Sequence, residues 1–202
     1  MVKVIPAILA TNEKELNFKL NRLKDYKKLI QIDVCDGKFV RNKTVSLNYL
    51  NKIKNDLELH LMVKNPSAMK TFPKKTKSII FHIEAEKNPE QLIKRLKSKY
   101  SVGIALNPET SINKIKKYLS IVDKILVMTV HSGFGGQKFL TSQLKKIKQL
   151  RKLTRKPIEV DGGINDKTAK LAKKAGATEM AVGNYILMSE NPKKTIEHLH
   201  FL

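Results

Sequence analysis

Short apolar runs that alternate with longer stretches of helical period are the feature that most restricts how this chain can fold. The runs are rich in isoleucine, leucine and valine, and the stretches between them carry many lysines. This alternation is typical of βαβ units and therefore predicts a parallel sheet. Eight segments are predicted to be strands: Val2–Ile8, Leu29–Val34, Leu57–Val63, Ser78–His82, Ser101–Leu106, Val122–Val130, Ile158–Val160 and Glu179–Val182.

Several of the intervening segments begin at residues that commonly start helices. Side chains of asparagine and threonine accept hydrogen bonds from the free N–H groups of the first turn, and proline is favoured at its first position. Four helix starts are predicted on this basis: Asn12 with Glu15 three residues later, Asn88-Pro89, Thr141 and Asn191-Pro192.

The number of predicted units favours a closed barrel over an open sheet. Eight strand–helix units in 202 residues average about 25 residues each, near the lower end of the range for a (β/α)8 barrel. The alternative is a doubly wound sheet. Its dinucleotide-binding form carries Gly-x-Gly-x-x-Gly after the first strand, where this chain has "PAILATNEKEL". We therefore predict an α/β fold of the TIM (β/α)8 class, with residues 1–202 as a single barrel domain.

Composition indicates a globular protein. A hydrophobic content of 41% with 29% charged residues is globular, and 202 residues are enough for one sizeable core. The single cysteine, Cys35, cannot form an intramolecular disulfide. The amino-terminal run "VKVIPAILA" is too short, and too interrupted by Lys3 and Pro6, for a signal or membrane segment. We expect a soluble cytoplasmic protein without a membrane partner.

The formal net charge of +22 raises nucleic acid as a partner, because a basic surface attracts phosphate backbones. Lysine accounts for 35 of the 40 basic residues, and these are spread over nearly every helical segment without a basic tail. This distribution favours a solvated surface and no specific nucleic-acid partner, and an RNA-associated protein remains the alternative. A small anionic substrate would still benefit from the positive field.

Chemistry in a (β/α)8 barrel takes place at the carboxyl ends of the strands, so polar residues there are the first candidates. Asp33 lies within an apolar strand, where a carboxylate is costly unless it is paired, bound or used. Asp161 ends the seventh predicted strand and can face Asp33 across the barrel mouth. His82 and Glu84 are spaced to share one face of a strand, which favours a hydrogen-bonded structural pair, with polar support near the pocket as the alternative. Other residues at strand ends are Gln31, His60, Met62, Asn107, Met128, Thr129 and Gly183.

Glycine-bearing turns follow the last three predicted strands, with the sequences "SGFGGQ", "DGGIN" and "GNYI". Glycine lets the backbone approach a ligand closely, and turns after the last strands form the phosphate site of phosphate-binding barrels. Tight strand–helix turns are the alternative explanation for each turn alone. The order of the three turns favours a phosphate site at Gly133, Phe134, Gly135, Gly136, Gly162, Gly163, Gly183 and Asn184.

The chain resembles the ribulose-phosphate 3-epimerase family from end to end. The motifs that carry the resemblance occur in the family's order and near its spacing: "PAILA", "IDVCDGKFVRN", "LHLMVKNP", "FHIEA", "ALNPET", "VMTVHSGFGGQKF" and "IEVDGGIN". The long glycine motif and the "EVDGG" strand are the most specific of these. The fold of the family is a TIM barrel, in agreement with the eight predicted units.

The resemblance implies an isomerase that inverts carbon 3 of a sugar phosphate, interconverting D-ribulose 5-phosphate and D-xylulose 5-phosphate through an enediolate. Asp33 and Asp161 match the acid–base catalysts, one for each face of the carbon. Met62 and Met128 match methionines that line the family's site, although ordinary core filling explains them equally well. Family members are commonly dimers or larger, so the resemblance also implies a homo-oligomer.

In the family a divalent metal cation stabilises the enediolate, held by two histidines and the same two aspartates. Asp33, His60 and Asp161 match three of these ligands, and Gln31 stands in place of the other histidine. His60 is also assigned to substrate binding. A neutral amide oxygen is a poorer zinc ligand than imidazole. We therefore expect the cation, whether zinc, manganese, iron, cobalt or magnesium, to bind weakly; the alternative is an enzyme that works through hydrogen bonds to the enediolate without a metal.

Further departures from the family surround the same pocket. Ala7 replaces a serine, Cys35 a methionine, His131 and Ser132 an acidic or asparagine residue and a proline, and Asn184 a serine or threonine. Two alternatives follow: an epimerase of a hexulose 6-phosphate on the same barrel, or a catalytically impaired phosphate-binding paralogue. Retention of both aspartates argues against the impaired protein, because a decayed enzyme has no reason to keep two costly carboxylates.

Overall fold

A computed structural model describes all 202 residues and shows eight parallel strands that close into a barrel in sequence order. Strand β8 pairs with β1, which places Lys3 beside Glu179 and Pro6 beside Val182. The predicted (β/α)8 barrel is confirmed, and every predicted strand overlaps an observed one. The strands are β1 Lys3–Ile8, β2 Ile30–Cys35, β3 Leu57–Met62, β4 Thr76–His82, β5 Ser101–Leu106, β6 Lys124–Met128, β7 Ile158–Asp161 and β8 Glu179–Val182.

The parallel register brings the carboxyl ends of all strands to one mouth of the barrel. Asp33 is in register with His60 on the neighbouring strand, and Met128 is in register with Asp161. Successive side chains of a strand point to opposite faces, so Gln31 and Asp33 share one face of β2. The residues predicted to carry chemistry therefore meet at this mouth.

The helices are fewer than eight strand–helix units imply. The connections after β2, β3 and β5 contain only 3-10 turns, at Leu47–Lys52, at Pro66–Ala68, and at Ile112–Lys114 and Lys116–Tyr118. These short connections explain how so short a chain completes a barrel. The α-helices are α1 Glu13–Arg22, α2 Pro89–Lys97, α3 Gln143–Leu153, α4 Asp166–Ala175, α5 Asn184–Leu187 and α6 Pro192–Phe201.

The predicted helix starts are correct at three of the four positions. The Asn12 side chain accepts a hydrogen bond from the N–H of Glu15 at 2.9 Å, and Asn191 accepts one from Lys194. Helix α2 begins at Pro89 as predicted. Helix α3 begins at Gln143 with Ser142 as its N-cap, so its start lies one residue after the start predicted at Thr141.

The main apolar core lies between the outer face of the barrel and the surrounding segments. The barrel interior contains a smaller apolar group: Ile80, Ala105, Leu126, Met128 and Val130. At the amino-terminal end of the interior, the buried Lys124 contacts three glutamates. None of the helices combines the length and apolar character needed to cross a membrane.

Candidate active site

A cavity of about 840 Å³ opens at the mouth of the barrel. Asp33 and Asp161 are part of its wall, together with every residue that the sequence analysis assigned to substrate or phosphate binding. Gln31 is fully buried and lies outside this wall. The sequence-predicted binding residues in the wall are His60, Met62, Met128, Gly133, Phe134, Gly135, Gly136, Gly162, Gly163, Gly183 and Asn184.

Four polar side chains meet at the base of this cavity. The amide nitrogen of Gln31 donates hydrogen bonds to Asp33 Oδ1 at 2.9 Å and to Asp161 Oδ2 at 2.7 Å. His60 Nδ1 lies 3.1 Å from the same oxygen of Asp33 and 3.4 Å from the same oxygen of Asp161. Two carboxylates from strands β2 and β7 are thus bridged by one amide and one imidazole.

Burial and charge act in opposite directions at this centre. Burial raises the pKa of the Asp33 carboxyl, while the hydrogen bond from His60 lowers it and the charge of Asp161 raises it further. Burial alone would lower the pKa of His60, but its contacts with Asp161 and Asp33 outweigh burial and raise that pKa to about 10. In the absence of a cation, these contacts therefore favour a protonated imidazole beside the carboxylates.

The centre also has the composition of a divalent-cation site. Ligand atoms of Asp33, His60 and Asp161 all lie within 4.8 Å of one another, so one ion can reach all three. Two carboxylates and one imidazole suit a divalent cation, and catalytic zinc commonly has three protein ligands. Gln31 turns its nitrogen towards the carboxylates and leaves Oε1 buried without a partner, so it is not placed as the oxygen ligand that the sequence analysis considered. The residues fit a cation held by three ligands.

His60 continues into a second layer of buried side chains. Its Nε2 lies 2.9 Å from Nε2 of His82, and the two ring planes are inclined by 23° with centroids 5.0 Å apart. On the other side of His82, Nδ1 lies 3.3 Å from Glu84 Oε2. Burial lowers the pKa of His82 to about 4. Burial would raise the pKa of Glu84, but the contact with His82 outweighs it and lowers that pKa to about 2.

The sequence analysis favoured a hydrogen-bonded structural pair for His82 and Glu84 over polar support near the pocket, and it did not predict that His82 contacts His60. Two histidines at the ends of consecutive predicted strands were the available signal. The contact depends on side-chain direction, because the backbone neighbour of His60 on β4 is Ile80.

The glycines of the cavity wall differ in what the fold requires of them. A Cβ on Gly162 would lie 2.3 Å from the Val130 side chain, and one on Gly163 would lie 2.5 Å from the backbone nitrogen of Phe139. Both glycines also have positive φ, so their turns need glycine whether or not a ligand binds. A Cβ on Gly183 meets only the carbonyl oxygen of Ala7, at 3.4 Å.

A buried lysine in the cavity wall was also missed by the sequence analysis. Lys19 is 8% exposed, and its ammonium donates to the carbonyl of Leu9 and to Glu15 Oε1, each at 2.6 Å. The i,i+4 spacing of Glu15 and Lys19 predicts an ion pair on a helix. It does not predict that the helix turns this pair towards the cavity.

A (β/α)8 barrel with paired carboxylates at the carboxyl ends of its strands has the architecture of the barrel enzymes. Residues 3–187 match the model of the Ribulose-phosphate 3 epimerase family. The ribulose-phosphate 3-epimerase of Bacillus subtilis is 35% identical, over 98% of this chain and 98% of that protein. The ribulose-phosphate 3-epimerase of Methanocaldococcus jannaschii is 34% identical, over 98% of this chain and 90% of that protein. The chain belongs to this family, which confirms the resemblance; it is an isomerase, and more narrowly an epimerase.

Solved structures support the fold independently. The 3-hexulose-6-phosphate synthase of Salmonella typhimurium superposes with a TM-score of 0.68 at 16% identity, over 98% of this chain and 97% of that one. KGPDC from Streptococcus mutans has the same TM-score at 14% identity, over 98% of this chain and 96% of that one. At this level of identity the likeness concerns the barrel alone.

Proposed function

We propose that this chain interconverts D-ribulose 5-phosphate and D-xylulose 5-phosphate, with Asp33 and Asp161 as the acid–base pair. The observation that carries the proposal is the placement of these two carboxylates, on separate strands, at the base of one cavity. The names of the relatives support the choice of substrate.

The chemistry requires one base and one acid on opposite faces of carbon 3. One carboxylate removes the proton from carbon 3, and the electron pair of the broken C–H bond forms the enediolate with the neighbouring ketone. The other carboxyl, which starts protonated, then donates its proton to the opposite face of carbon 3. The two groups must therefore hold complementary protonation states. Burial and the charge of Asp161 raise the pKa of Asp33, so the environment makes the protonated form of this carboxyl easier to reach than in an exposed aspartate.

We propose that Asp33, His60 and Asp161 hold a divalent cation, which when bound would supply positive charge to the enediolate oxygens. Binding is expected to be weaker than in a site with four good ligands. The amide nitrogen of Gln31 already bonds to both carboxylates, and an ion must displace this donor or share its oxygens. Imidazole nitrogen suits zinc better than a neutral amide does. Replacing the second histidine by Gln31 should therefore lower the affinity for zinc more than the affinity for the other cations.

The glycine turns and Asn184 are proposed to hold the phosphate of the substrate. Gly183 and Asn184 lie in the same cavity wall as Gly162 and Gly163. Gly183 has no side chain, so a ligand can approach its backbone closely. Met62 and Met128 are almost fully buried and contribute apolar surface to the wall, and a homo-oligomer is proposed from the family resemblance alone.

The test is a coupled assay on ribulose 5-phosphate with Asp33→Asn and Asp161→Asn. Each substitution should lower kcat by at least about 10²-fold, the low end of general acid–base contributions. Asp25→Asn, an exposed aspartate after α1, is the matched control. Solvent deuterium should enter carbon 3 during turnover. Turnover without deuterium exchange would contradict the two-acid mechanism. Activity only on a hexulose 6-phosphate would contradict the proposal that ribulose 5-phosphate is the substrate.

A further inference from the structure

We infer that Glu84 and His82 are positioning residues that fix the tautomer of His60, so that Nδ1 is the nitrogen available to a cation. The inference rests on the proposed cation site. It concerns four side chains in a row, which are Asp33, His60, His82 and Glu84, joined by contacts of 3.1, 2.9 and 3.3 Å.

The direction of each hydrogen bond follows from what each group can donate. Glu84 is a carboxylate and can only accept, so the proton that it attracts lies on His82 Nδ1. A neutral imidazole carries one N–H, which leaves His82 Nε2 as an acceptor. His60 Nε2 lies 2.9 Å from this acceptor and therefore carries the proton between the rings. The remaining nitrogen of His60, Nδ1, faces Asp33 and Asp161.

The opposite assignment is unfavourable for a specific reason. His82 Nδ1 and Glu84 Oε2 are both buried, and neither makes an aligned hydrogen bond to any other group. They lie 3.3 Å apart, and a small rotation would complete the bond. If His82 Nδ1 carried no proton, a lone pair would face a carboxylate oxygen away from water, at a cost of a few kcal/mol.

Glu84 is itself held in place by a separate contact. Its Oε1 accepts a hydrogen bond from the N–H of Asn107, just after β5, at 2.9 Å. The ring of His82 is also packed by Phe39, with centroids 4.9 Å apart. These contacts hold Oε2 on the side of His82, so the orientation is built into the fold and does not depend on a ligand.

The decisive variant is Glu84→Gln, which keeps the volume and the bond from Asn107. With its oxygen on Asn107, the new amide presents an N–H to His82 Nδ1. The tautomers of both rings should then reverse, and His60 Nδ1 would keep its proton and lose its capacity to bind a cation. We expect affinity for Co²⁺ to fall by about 10- to 100-fold, the usual effect of removing a partner of a metal ligand. Glu86→Gln removes the same charge from the same turn without contact to His82 and should change affinity by less than about 2-fold.

Two measurements give readouts that do not depend on catalysis. Competition with a chromophoric chelator gives the Co²⁺ affinity, and ¹⁵N spectra of histidine-labelled protein show which ring nitrogen carries a proton. In the unmodified chain, His60 should carry a proton at Nε2 with and without a cation, and a second proton at Nδ1 only without one, while His82 should carry its proton at Nδ1 in both states. A His82 spectrum with the proton on Nε2 overturns the inference, and so does unchanged affinity in a folded Glu84→Gln protein.

A parent chain that binds no Co²⁺ also overturns the inference. A parent that binds Co²⁺ with the expected tautomers but does not epimerise ribulose 5-phosphate refutes only the proposed function.

Discussion

Asp33 shows at the scale of one residue how a carboxylate is tolerated in an apolar strand. Its Oδ1 receives the amide of Gln31 and lies beside His60 Nδ1, so the buried charge is hydrogen-bonded on two sides. The sequence predicts the position of Asp33 at the mouth, because side chains alternate along a strand. It does not predict which atom of Gln31 faces the carboxylates, because that depends on Asp161, which comes from a different strand.

The orientation of Gln31 leads to a prediction for Gln31→His. An imidazole there can present a lone pair to a cation bound by Asp33, His60 and Asp161, where the amide presents a donor. Zinc affinity should rise by at least about 10-fold, since imidazole is among the preferred zinc ligands. Metal content after purification and chelator competition measure the effect. The expectation fails if the native chain already retains a full equivalent of zinc and the variant binds it no more tightly.

At the scale of elements, strands were easier to predict than the segments between them. Buried parallel strands require continuous apolar runs, and these runs stand out in the sequence. Lysine-rich segments satisfy a helical pattern whether they form an α-helix or a 3-10 turn, because exposed lysines suit both. The segment Leu47–Lys52 is such a case, since it forms only 3-10 turns.

The amino-terminal ends of four strands build a buried charge cluster that the sequence analysis did not anticipate. Lys124 of β6 donates to Glu58 Oε2 at 2.7 Å and to Glu159 Oε2 at 2.8 Å, and it also donates to Glu179. Three carboxylates surround one ammonium. One oxygen of Glu58 and one of Glu159 have no partner. Burial and the charge of Glu58 raise the pKa of Glu159 to about 8.

The raised pKa predicts how Glu159→Gln changes stability with pH. A carboxyl whose pKa is raised by folding ionises more easily in the unfolded chain, so its ionisation stabilises the unfolded state. Stability should therefore be lost as pH rises from the unfolded pKa, near 4.5, through the folded value of about 8. Glutamine has no such loss, so the stability of the variant relative to the parent should rise between about pH 5 and pH 8, by 1 kcal/mol or more as an order of magnitude. Urea unfolding across this range measures the difference; a difference that is constant with pH would show that Glu159 is ionised in both states.

At the scale of the whole molecule, the net charge of +22 can be counted from the sequence, but the fold does not explain it. The barrel and its mouth follow from the pattern of apolar runs, and a sheet of this kind does not require +22. Charge acts instead on association, because a positive surface raises the local concentration of an anionic substrate. Lys138 and Lys167 are exposed in the cavity wall and lie where this effect is largest.

This field leads to a prediction about ionic strength. The kcat/KM for the sugar phosphate should fall several-fold as salt rises from about 20 mM to 300 mM, because screening shortens the range of charge interactions to about 10 Å at 0.1 M. The double variant Lys138→Gln/Lys167→Gln should lower kcat/KM at low salt and flatten its salt dependence. The control, Lys28→Gln/Lys99→Gln, removes the same charge from exposed positions before β2 and β5, at the opposite end of the barrel. Strands of six residues put that end roughly 20 Å from the mouth, so the control should keep most of the parent's salt dependence. Equal losses of kcat/KM in the two double variants would assign the effect to overall charge and not to the lysines at the mouth. A kcat/KM that does not depend on salt would exclude electrostatic attraction of the substrate.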